Sequence, residues 1–368
     1  MKLQVTQENL NKALSSVARI ANTRGTLPIL ANVVLRTVGT RLTIAATNLD
    51  IAITHYIGSK VSEEGSITVP ARLMQDFVGS LPSGVIELKL DDYKLHITTD
   101  QYNSVINGVS AEEFPVMPAI TEGKTWTIPV KVFKKGLQQV LVAASNDEAR
   151  PVLTGLYIHT SGGKLYIAST DSYRLAEKEI MPLEEDINIL VPASSMQELL
   201  RVIGDQDTDI EIIHDDQQVL FKVGEVELMT RLIDGNYPDY KKLIPNTFAV
   251  TATLKRADFA NITKVSSLFA KESAGSVTIH ADPEAKSVSI RSVASQLGEN
   301  TAQADADITA EGSITLNSRY LLDALGTLSS DMVMLCFERS VVIQSCSVLM
   351  VNLSPVFLRK QNQQIIFM

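Results

Sequence analysis

The sequence predicts an α+β protein made of three tandem copies of one domain. A hairpin-like segment with alternating apolar residues occurs three times, at residues 40–51, 164–176 and 286–298. Its aligned isoleucines are 123 residues apart in both steps: Ile44, Ile167 and Ile290. A second shared segment, a strand that runs into an amphipathic helix, follows each hairpin from Ser66, Asn188 and Ser313. A repeat of this length is a whole domain rather than one unit of a solenoid.

Each copy is predicted to begin with a short strand and an amphipathic helix. The strands are expected at residues 3–6, 126–128 and 249–252, and the helices at 6–21, 129–145 and 254–270. In the first copy, Leu10, Leu14 and Val17 recur at the spacing of one helix face. We therefore expect each helix to pack an apolar stripe on a sheet and to turn its polar side chains outward.

The hairpin of each copy leads through a further strand into a second helix. Pro70 and Pro192 stand at the start of that helix, where the missing N–H of proline is tolerated. Gly79, Gly204 and Gly326 mark its end. Two more strands, such as those within residues 85–99, are expected to complete the copy. Each domain is thus predicted to carry a sheet on one side and two helices on the other.

Proline-rich polar joints separate the copies. They lie at residues 115–124 and 237–247 and place the domains at 1–121, 122–246 and 247–368. The composition suits three such domains, since 45% of the 368 residues are hydrophobic and 20% are charged. The first ten residues form neither a signal core nor a transit peptide, and no stretch approaches the ~18 apolar residues of a membrane span. We therefore expect a cytoplasmic protein that does not use a membrane.

The sequence contains none of the short motifs of nucleotide sites, nucleophilic serines or zinc proteases. The five histidines are interpreted as satisfied surface residues: His55, His96, His159, His214 and His280. Acidic runs at residues 91–92, 184–186 and 215–216 fall at predicted turns, and Cys336 and Cys346 are interpreted as structural thiols. We predict no enzyme activity, no cofactor and no metal. An enzyme with a site at a domain joint, around Asp171 and His159, stays open as an alternative.

The distribution of charge indicates a nucleic-acid partner despite the net charge of −9. The first helix of each copy carries an excess of Lys and Arg, and the second helices are neutral, so the acidic excess lies elsewhere. A basic surface on an acidic protein attracts the phosphate backbone without reading its sequence. The alternative is that the lysines only solvate exposed helix faces.

The corner of the second hairpin is interpreted as a peptide-binding feature. A polar turn at residues 170–172 is followed by Tyr173, Arg174 and Leu175. An aromatic ring, a cation and an apolar side chain at the end of a sheet suit the binding of a peptide better than its cleavage.

Three motifs occur in order along the chain: TRGTLPILANVVL from Thr23, TDSYRLA from Thr170 and LIDGNYPDYKKLIP from Leu232. With these motifs and the threefold repeat, the chain resembles the β sliding clamps of bacterial DNA polymerase III over essentially its whole length. The resemblance implies a DNA clamp fold and a head-to-tail homodimeric ring, with helices inside and sheets outside. It also implies a processivity factor that encircles duplex DNA, is loaded by a clamp loader and tethers DNA polymerase through short peptide motifs.

The resemblance, the basic helices and exposed apolar positions together give three sets of expected site residues. A partner-peptide cleft between the second and third domains carries over to Leu153, Thr170, Ser172, Tyr173, Arg174, Leu175, Pro238, Lys242, Leu243, Pro355 and Val356. The residues expected to face DNA are Arg24, Lys131, Lys135, Arg150 and Arg201. At the joint of the ring, Ile106 of one chain is expected near Leu268 and Phe269 of the other. Burial of these apolar residues within their own domains is the alternative.

The chain departs from the family pattern at the cleft and at the C-terminus. Ser172 and Tyr173 stand where Gly-His is frequent, which keeps a flat ring over the cleft. The terminal Met-Pro-Met segment of the family aligns with residues 354–356, and an unusual extension follows. Residues 363–367 resemble the peptides that such clamps bind. This segment is expected to be a tail that competes with partner peptides for the cleft, a final strand of the sheet, or an unstructured end. The altered C-terminus also leaves open a specialised paralogous clamp that serves a subset of partners.

Overall fold

A computed structural model describes residues 1–21, 27–116, 119–204, 207–244, 247–296 and 298–337, together with the backbone of two strands at 356–360 and 363–367. The chain divides into two compact units: residues 1–132 with 194–232, and residues 133–193 with 233–368. Secondary-structure elements follow the same order in three consecutive copies. The predicted α+β class and the threefold repeat are therefore confirmed.

The three copies share one succession of strands and helices, except that the first has an additional strand, at residues 60–63, before the strand that leads into its second helix. The first contains β1 (Lys2–Thr6), α1 (Gln7–Val17), β2 (Asn32–Val38), β3 (Arg41–Thr47), β4 (Ile51–Gly58), β5 (Lys60–Glu63), β6 (Ser66–Pro70), α2 (Ala71–Ser80), β7 (Val85–Asp91), β8 (Lys94–Thr98) and β9 (Asn103–Asn107). The second contains β10 (Lys124–Pro129), α3 (Val130–Val140), β11 (Gly155–Ser161), β12 (Lys164–Thr170), β13 (Arg174–Pro182), β14 (Asn188–Pro192), α4 (Ala193–Ile203), β15 (Asp209–His214), β16 (Gln218–Val223) and β17 (Val226–Arg231). The third contains β18 (Val250–Lys255), α5 (Arg256–Ser267), β19 (Ser276–Asp282), β20 (Ser287–Ala294), β21 (Gly298–Ile308), β22 (Gly312–Asn317), α6 (Ser318–Thr327), β23 (Met332–Phe337), β24 (Val356–Lys360) and β25 (Gln363–Phe367).

The helices form where the apolar spacing predicts them. In α1, Leu10, Leu14 and Val17 are buried on one face, and the Thr6 hydroxyl accepts a hydrogen bond from the Asn9 amide at the N-terminus. Pro70 ends β6 and caps α2, as its position in the sequence indicates. None of the helices in the described part of the chain is long and apolar enough to cross a membrane.

Each copy contains more strands than the sequence analysis predicted. The strand before the hairpin was missed because it lacks clear alternation: the first four residues of β2 are all buried. The last strand of the first copy was missed because β9 buries only one of its five residues. Both strands therefore lack the period-two signal on which a strand prediction depends.

The strands of the first unit form two antiparallel sheets. One has the order β5-β1-β7-β8-β9 and the other the order β10-β15-β16-β17-β4-β3-β2-β6. The second sheet is continuous from one copy to the next because β17 pairs with β4, from Val226 opposite His55 to Thr230 opposite Ile51.

The described strands of the second unit form one sheet of twelve, in the order β14-β11-β12-β13-β25-β24-β23-β18-β21-β20-β19-β22. Here β25 pairs with β13, from Gln363 opposite Lys178 to Phe367 opposite Arg174. The junctions β17 to β4 and β25 to β13 are equivalent, because each joins the last strand of one copy to the second hairpin strand of the copy before it. The residues 363–367 thus form a final strand, one of the alternatives left open by the sequence.

Candidate functional site

The corner between β12 and β13 is a tight turn stabilised by side chains. Asp171 Oδ1 accepts hydrogen bonds from the backbone amides of Tyr173 and Arg174, both at 2.9 Å. The Thr170 hydroxyl donates to the Arg174 carbonyl at 2.7 Å, and Ser172 adopts a positive φ of 73°. The turn leaves Tyr173 63% exposed, so its ring is available to a binding partner.

Arg174 connects the hairpin corner to the third copy. Its Nε donates to Asp171 Oδ2 at 3.0 Å, and its Nη1 donates to Asp323 Oδ2 of α6 at 2.9 Å. The guanidinium carbon also lies 4.4 Å from the centre of the Tyr320 ring. Planar Arg suits this combination of ion pairs and stacking, which Lys could not reproduce. Arg174 therefore fixes the corner against the start of α6.

A groove of about 1020 Å³ opens between this corner and α6. Its walls include Leu153, Tyr173, Arg174, Tyr320 and Leu322. Leu153 belongs to a 3-10 turn, Pro151–Thr154, that is tied to the corner because Arg150 Nη1 donates to Ser172 Oγ at 3.1 Å. Three residues of the predicted cleft, Leu153, Tyr173 and Arg174, thus line the groove, although Leu153 is only 6% exposed, and Ser172 lies beside them.

The other predicted wall belongs to the segment that connects the second and third copies. A 3-10 turn, Tyr240–Leu243, carries Lys242 and Leu243. Leu243 is 45% exposed, Pro238 is exposed, and Lys242 forms an ion pair with Asp239 at 2.9 Å that raises the lysine pKa. Leu243 is consequently a large apolar side chain that a bound peptide can cover.

Leu175 does not form part of the accessible surface. It is fully buried in a cluster with Ala168, Tyr240 and Cys336. Thr170 is also buried. The structure therefore assigns Leu175 and Thr170 to the core beneath the cleft, where they support it, rather than to its exposed wall.

The C-terminal wall of the predicted cleft lies mostly outside the described part of the chain. Pro355 is outside the described residues, and Val356 is the first residue of β24, paired through its backbone with Phe367 of β25. The described groove is formed by the hairpin corner, the Leu153 turn and α6. Together with the connector turn, whose place beside the groove stays a prediction, we call these parts the peptide cleft.

Sequence reasoning missed two residues of the cleft, Tyr320 and Asp323. Both come from α6 and meet Arg174 only through the fold. The signal in the sequence was the pair itself, an aromatic and an acidic residue three positions apart, which share one helix face.

The residues predicted to face DNA lie on exposed helix and loop positions. Lys131, Lys135, Arg150 and Arg201 are all exposed, whereas Arg24 lies outside the described residues. Lys131 pairs with Asp207 at 2.7 Å, and Arg201 pairs with Glu198. Such exposed pairs hold a side chain weakly, so they leave the cations available to a phosphate.

A second groove, in the first unit, collects further basic side chains. It lies between α1 and α4 and is lined by four cations and two carboxylates: Lys12, Arg19, Arg41, Arg201, Glu198 and Glu225. Lys12 and Arg19 belong to the basic first helix of the sequence, whereas neither they nor Arg41 were predicted as site residues. Arg41, on β3, pairs with Glu225, and Arg201 pairs with Glu198, so the charged residues that line the groove keep a positive excess; we call it the basic groove.

The predicted ring-joint residues have different exposures. Leu268, at the end of α5, is 56% exposed and Phe269 is half-buried, whereas Ile106 is only 6% exposed. Its own domain buries Ile106, which agrees with the alternative left open by the sequence, and its contact with Leu268 and Phe269 of a second chain stays a prediction. The exposed apolar residue of β9 is its neighbour Val105, at 50%, because adjacent strand residues point to opposite faces.

Three of the histidines interpreted as surface residues are buried: His55, His159 and His214. Burial lowers the pKa of His55 and of His159 to about 4, and also lowers that of His214. Asp171 pairs with Arg174 and His159 bonds to Tyr240, so the two residues of the alternative enzyme site serve separate interactions. Among the described residues, no cluster of three His, Cys, Asp or Glu is arranged to hold a metal ion.

Comparison with known proteins gives one consistent result. Three family models match, described as the N-terminal, central and C-terminal domains of the DNA polymerase III beta subunit, at residues 1–118, 127–239 and 241–352. The Beta sliding clamp of Synechocystis is 32% identical over 357 residues, which cover 90% of this chain and 91% of that protein. The Beta sliding clamp of Staphylococcus aureus is 28% identical over 344 residues, with the same coverage.

Solved structures agree with the sequence relatives. The DNA polymerase sliding clamp of Bacillus subtilis matches with a TM-score of 0.92 at 26% identity, over 100% of this chain and 98% of that one. The sliding clamp of Bartonella birtlesii bound to griselimycin matches with a TM-score of 0.91 at 25% identity, over 100% and 99%. The described elements, the three domain matches and the full-length relatives therefore place this chain in the DNA polymerase III β subunit family, the bacterial β sliding clamps.

Proposed function

We propose that the protein is a processivity clamp: two copies close a ring around duplex DNA and tether a DNA polymerase to it. Support comes from full-length relatives that are named beta sliding clamps and DNA polymerase sliding clamps. Members of this family are binding proteins without catalytic activity, in agreement with the prediction that the chain is not an enzyme. A cytoplasmic location follows from this function.

The observation that carries the proposal is the repeated strand junction. Within the chain, the last strand of the second copy pairs with β4 of the first, and the last strand of the third copy pairs with β13 of the second. Two strands remain for a third junction of the same kind. Among the described residues, β9 pairs only with β8, and β21 pairs along its length with β20 but meets β18 only at its last three residues.

These two free edges predict how two chains join. An unpaired strand edge is a template for another chain, and β9 of one copy is the structural counterpart of β17 and β25. We therefore propose that β9 of one chain pairs antiparallel with residues 298–305 of β21 in the other. Two such contacts, one at each joint between the two chains, close a head-to-tail dimer in which neither β9 nor β21 keeps an unpaired edge. Leu268, Phe269 and Val105 provide the apolar surface next to this junction.

The basic groove suits a surface that slides along DNA. Three of its cations are exposed, Arg41 is half-buried, and Glu198 and Glu225 oppose them, so each phosphate contact is weak and screened by salt. Weak contacts that do not read base edges position the duplex without fixing it at one sequence. In the proposed ring the helices face the hole, and retention on DNA comes from topology.

The peptide cleft is the proposed attachment point for partners. We propose that the DNA polymerase and the clamp loader insert short extended motifs of the form Gln-Leu-x-Leu-Phe. Their last apolar side chains would cover Leu243 and the groove beside Leu153 and Tyr320. Exposed apolar positions bordered by Arg174 and Lys242 suit such an anchor.

The dimer is the part of this proposal that can be tested on the protein alone. Sedimentation equilibrium should give about twice the chain mass of 40.2 kDa. Leu268→Lys should yield a folded monomer, because it places a charge beside the proposed strand junction. Leu73→Lys is the matched control, since Leu73 is exposed to a similar extent on α2. A wild-type monomer, or a Leu268→Lys dimer as stable as the wild type, would contradict the proposed junction.

A further inference from the structure

A buried hydroxyl fixes the connector turn that carries Leu243. Tyr240, the first residue of that turn, is buried, and its hydroxyl donates to Glu177 Oε2 at 2.5 Å. His159 Nε2 lies 2.8 Å from the same hydroxyl oxygen. Glu177 belongs to β13 and His159 to β11, so one side chain of the connector bonds to two strands of the second copy.

The arrangement of protons in this network follows from the donors available. Tyr240 has one proton, which it donates to Glu177, so its oxygen accepts from His159 and the imidazole carries a proton on Nε2. Burial, with a further contribution from Lys241, lowers the pKa of His159 to about 4, which keeps the ring neutral at physiological pH. Burial raises the pKa of Glu177, while the hydrogen bond from Tyr240 acts in the opposite direction.

Aromatic contacts surround these hydrogen bonds. The rings of Tyr166, His159, Tyr157 and Tyr237 stack in succession, with centroids 5.6, 4.5 and 4.9 Å apart. The Tyr240 ring meets both His159 and Tyr237 edge-on. The stack places the connector accurately on the sheet, because edge-on and stacked rings tolerate little displacement.

The turn also has other contacts: Lys241 Nζ lies 4.7 Å from the centre of the Tyr166 ring, Lys242 pairs with Asp239, and Ile244 packs against the cluster around Leu175. Within it, the Ile244 amide donates to the Lys241 carbonyl at 3.2 Å, and a single 3-10 turn has weak hydrogen-bond geometry. Lys242 and Leu243 are both exposed. Tyr240 adds a buried, hydrogen-bonded anchor to these contacts, and it reaches the same strand, β13, that carries Arg174.

We propose that Tyr240, Glu177 and His159 are positioning residues of the peptide cleft, which lock the Tyr240–Leu243 turn so that Leu243 and Lys242 stay at a fixed separation from the hairpin corner. A bound peptide must contact both walls at once, so the lock presents the cleft in its binding-competent form. The inference rests on the proposed function, because it concerns the same cleft.

Conservative variants distinguish the positioning of the turn by these hydrogen bonds from the packing of the aromatic rings. Tyr240→Phe keeps the ring and removes only the hydroxyl. Glu177→Gln keeps an acceptor for Tyr240, whereas Glu177→Leu removes it. Tyr157→Phe is the matched control, since it makes the same change in a neighbouring ring of the stack. A hydrogen bond to a charged group contributes about 1.5–3 kcal/mol, so Tyr240→Phe and Glu177→Leu should speed amide hydrogen exchange at Tyr240 and Ile244 by about tenfold or more.

The same variants should weaken a Gln-Leu-x-Leu-Phe peptide by about threefold or more in fluorescence anisotropy, while Glu177→Gln and Tyr157→Phe stay close to the wild type. In a Leu243→Ala background the effect of Tyr240→Phe on affinity should be smaller, because Leu243 is one of the two side chains that the lock positions. Unchanged exchange at Ile244, or an equal loss of affinity in both backgrounds, would overturn the inference. If the wild-type protein binds no peptide, the proposed function fails, and the exchange rates alone then decide whether Tyr240 locks the turn.

Discussion

Leu243 and Leu175 give opposite expectations for the same substitution. Leu243 is 45% exposed and Leu175 is fully buried. Complete burial of a leucine side chain contributes about 1.5–3 kcal/mol. A peptide can bury only the exposed part of Leu243, so Leu243→Ala should cost about 0.7–1.4 kcal/mol of binding, which is about a three- to tenfold loss of affinity. It should hardly change the free energy of unfolding.

Leu175→Ala should instead destabilise the fold. Truncation of a buried leucine leaves a cavity and commonly costs about 2–5 kcal/mol, here among Ala168, Tyr240 and Cys336. Peptide affinity is measured by fluorescence anisotropy and stability by urea unfolding. Leu73→Ala, at an exposed position of α2, is the control for both assays. Unchanged affinity in Leu243→Ala, or a loss of stability equal to that of Leu175→Ala, would refute the assignment of Leu243 to the exposed wall.

Three further predictions address pH, DNA and the hairpin corner. Burial lowers the pKa of His55 from 6.5 to about 4. The folded state therefore favours the neutral imidazole, and the free energy of unfolding falls by about 3 kcal/mol in total as the pH drops from 6.5 towards 4. His55→Asn should therefore flatten the pH dependence of urea unfolding, followed by fluorescence of Trp126, and an unchanged slope would contradict this. The double variant Lys131→Glu, Arg201→Glu should weaken DNA retention at low salt without changing peptide affinity, because both cations are exposed. Unaltered retention would show that these two residues do not face DNA. Asp323→Asn should lower the free energy of unfolding by about 1 kcal/mol, because it weakens a hydrogen-bonded ion pair with the largely buried Arg174. A calorimetric melting temperature equal to that of the wild type would show that Asp171 alone holds Arg174.

The repeat and the hairpin corner were predictable because they depend on short-range patterns. The interval between aligned isoleucines, the helix stripe at Leu10 and Leu14, and the turn before Tyr173 can all be read from local spacing. Strand β2 could not be predicted in this way, since consecutive residues are buried on both faces.

The environment of the site was less predictable because it depends on distant contacts. Leu175 looks like an exposed cleft residue until the connector packs Tyr240 against it. His159 looks like a surface residue in its strand until Tyr240 and Tyr157 cover it. Tyr320 and Asp323 gain their role only because α6 meets Arg174. In each case the partner lies far away in the sequence, where no spacing rule applies.

The most direct test of encirclement compares circular with linear DNA. The protein is loaded by a clamp loader onto a nicked circular plasmid, separated from free protein by gel filtration in moderate salt, and then exposed to a restriction enzyme that cuts the circle once. A closed ring should stay with the intact circle and slide off the linear product, because its phosphate contacts are weak and screened. Equal loss from both forms, or equal retention on both, would contradict the claim that the protein holds DNA by topology.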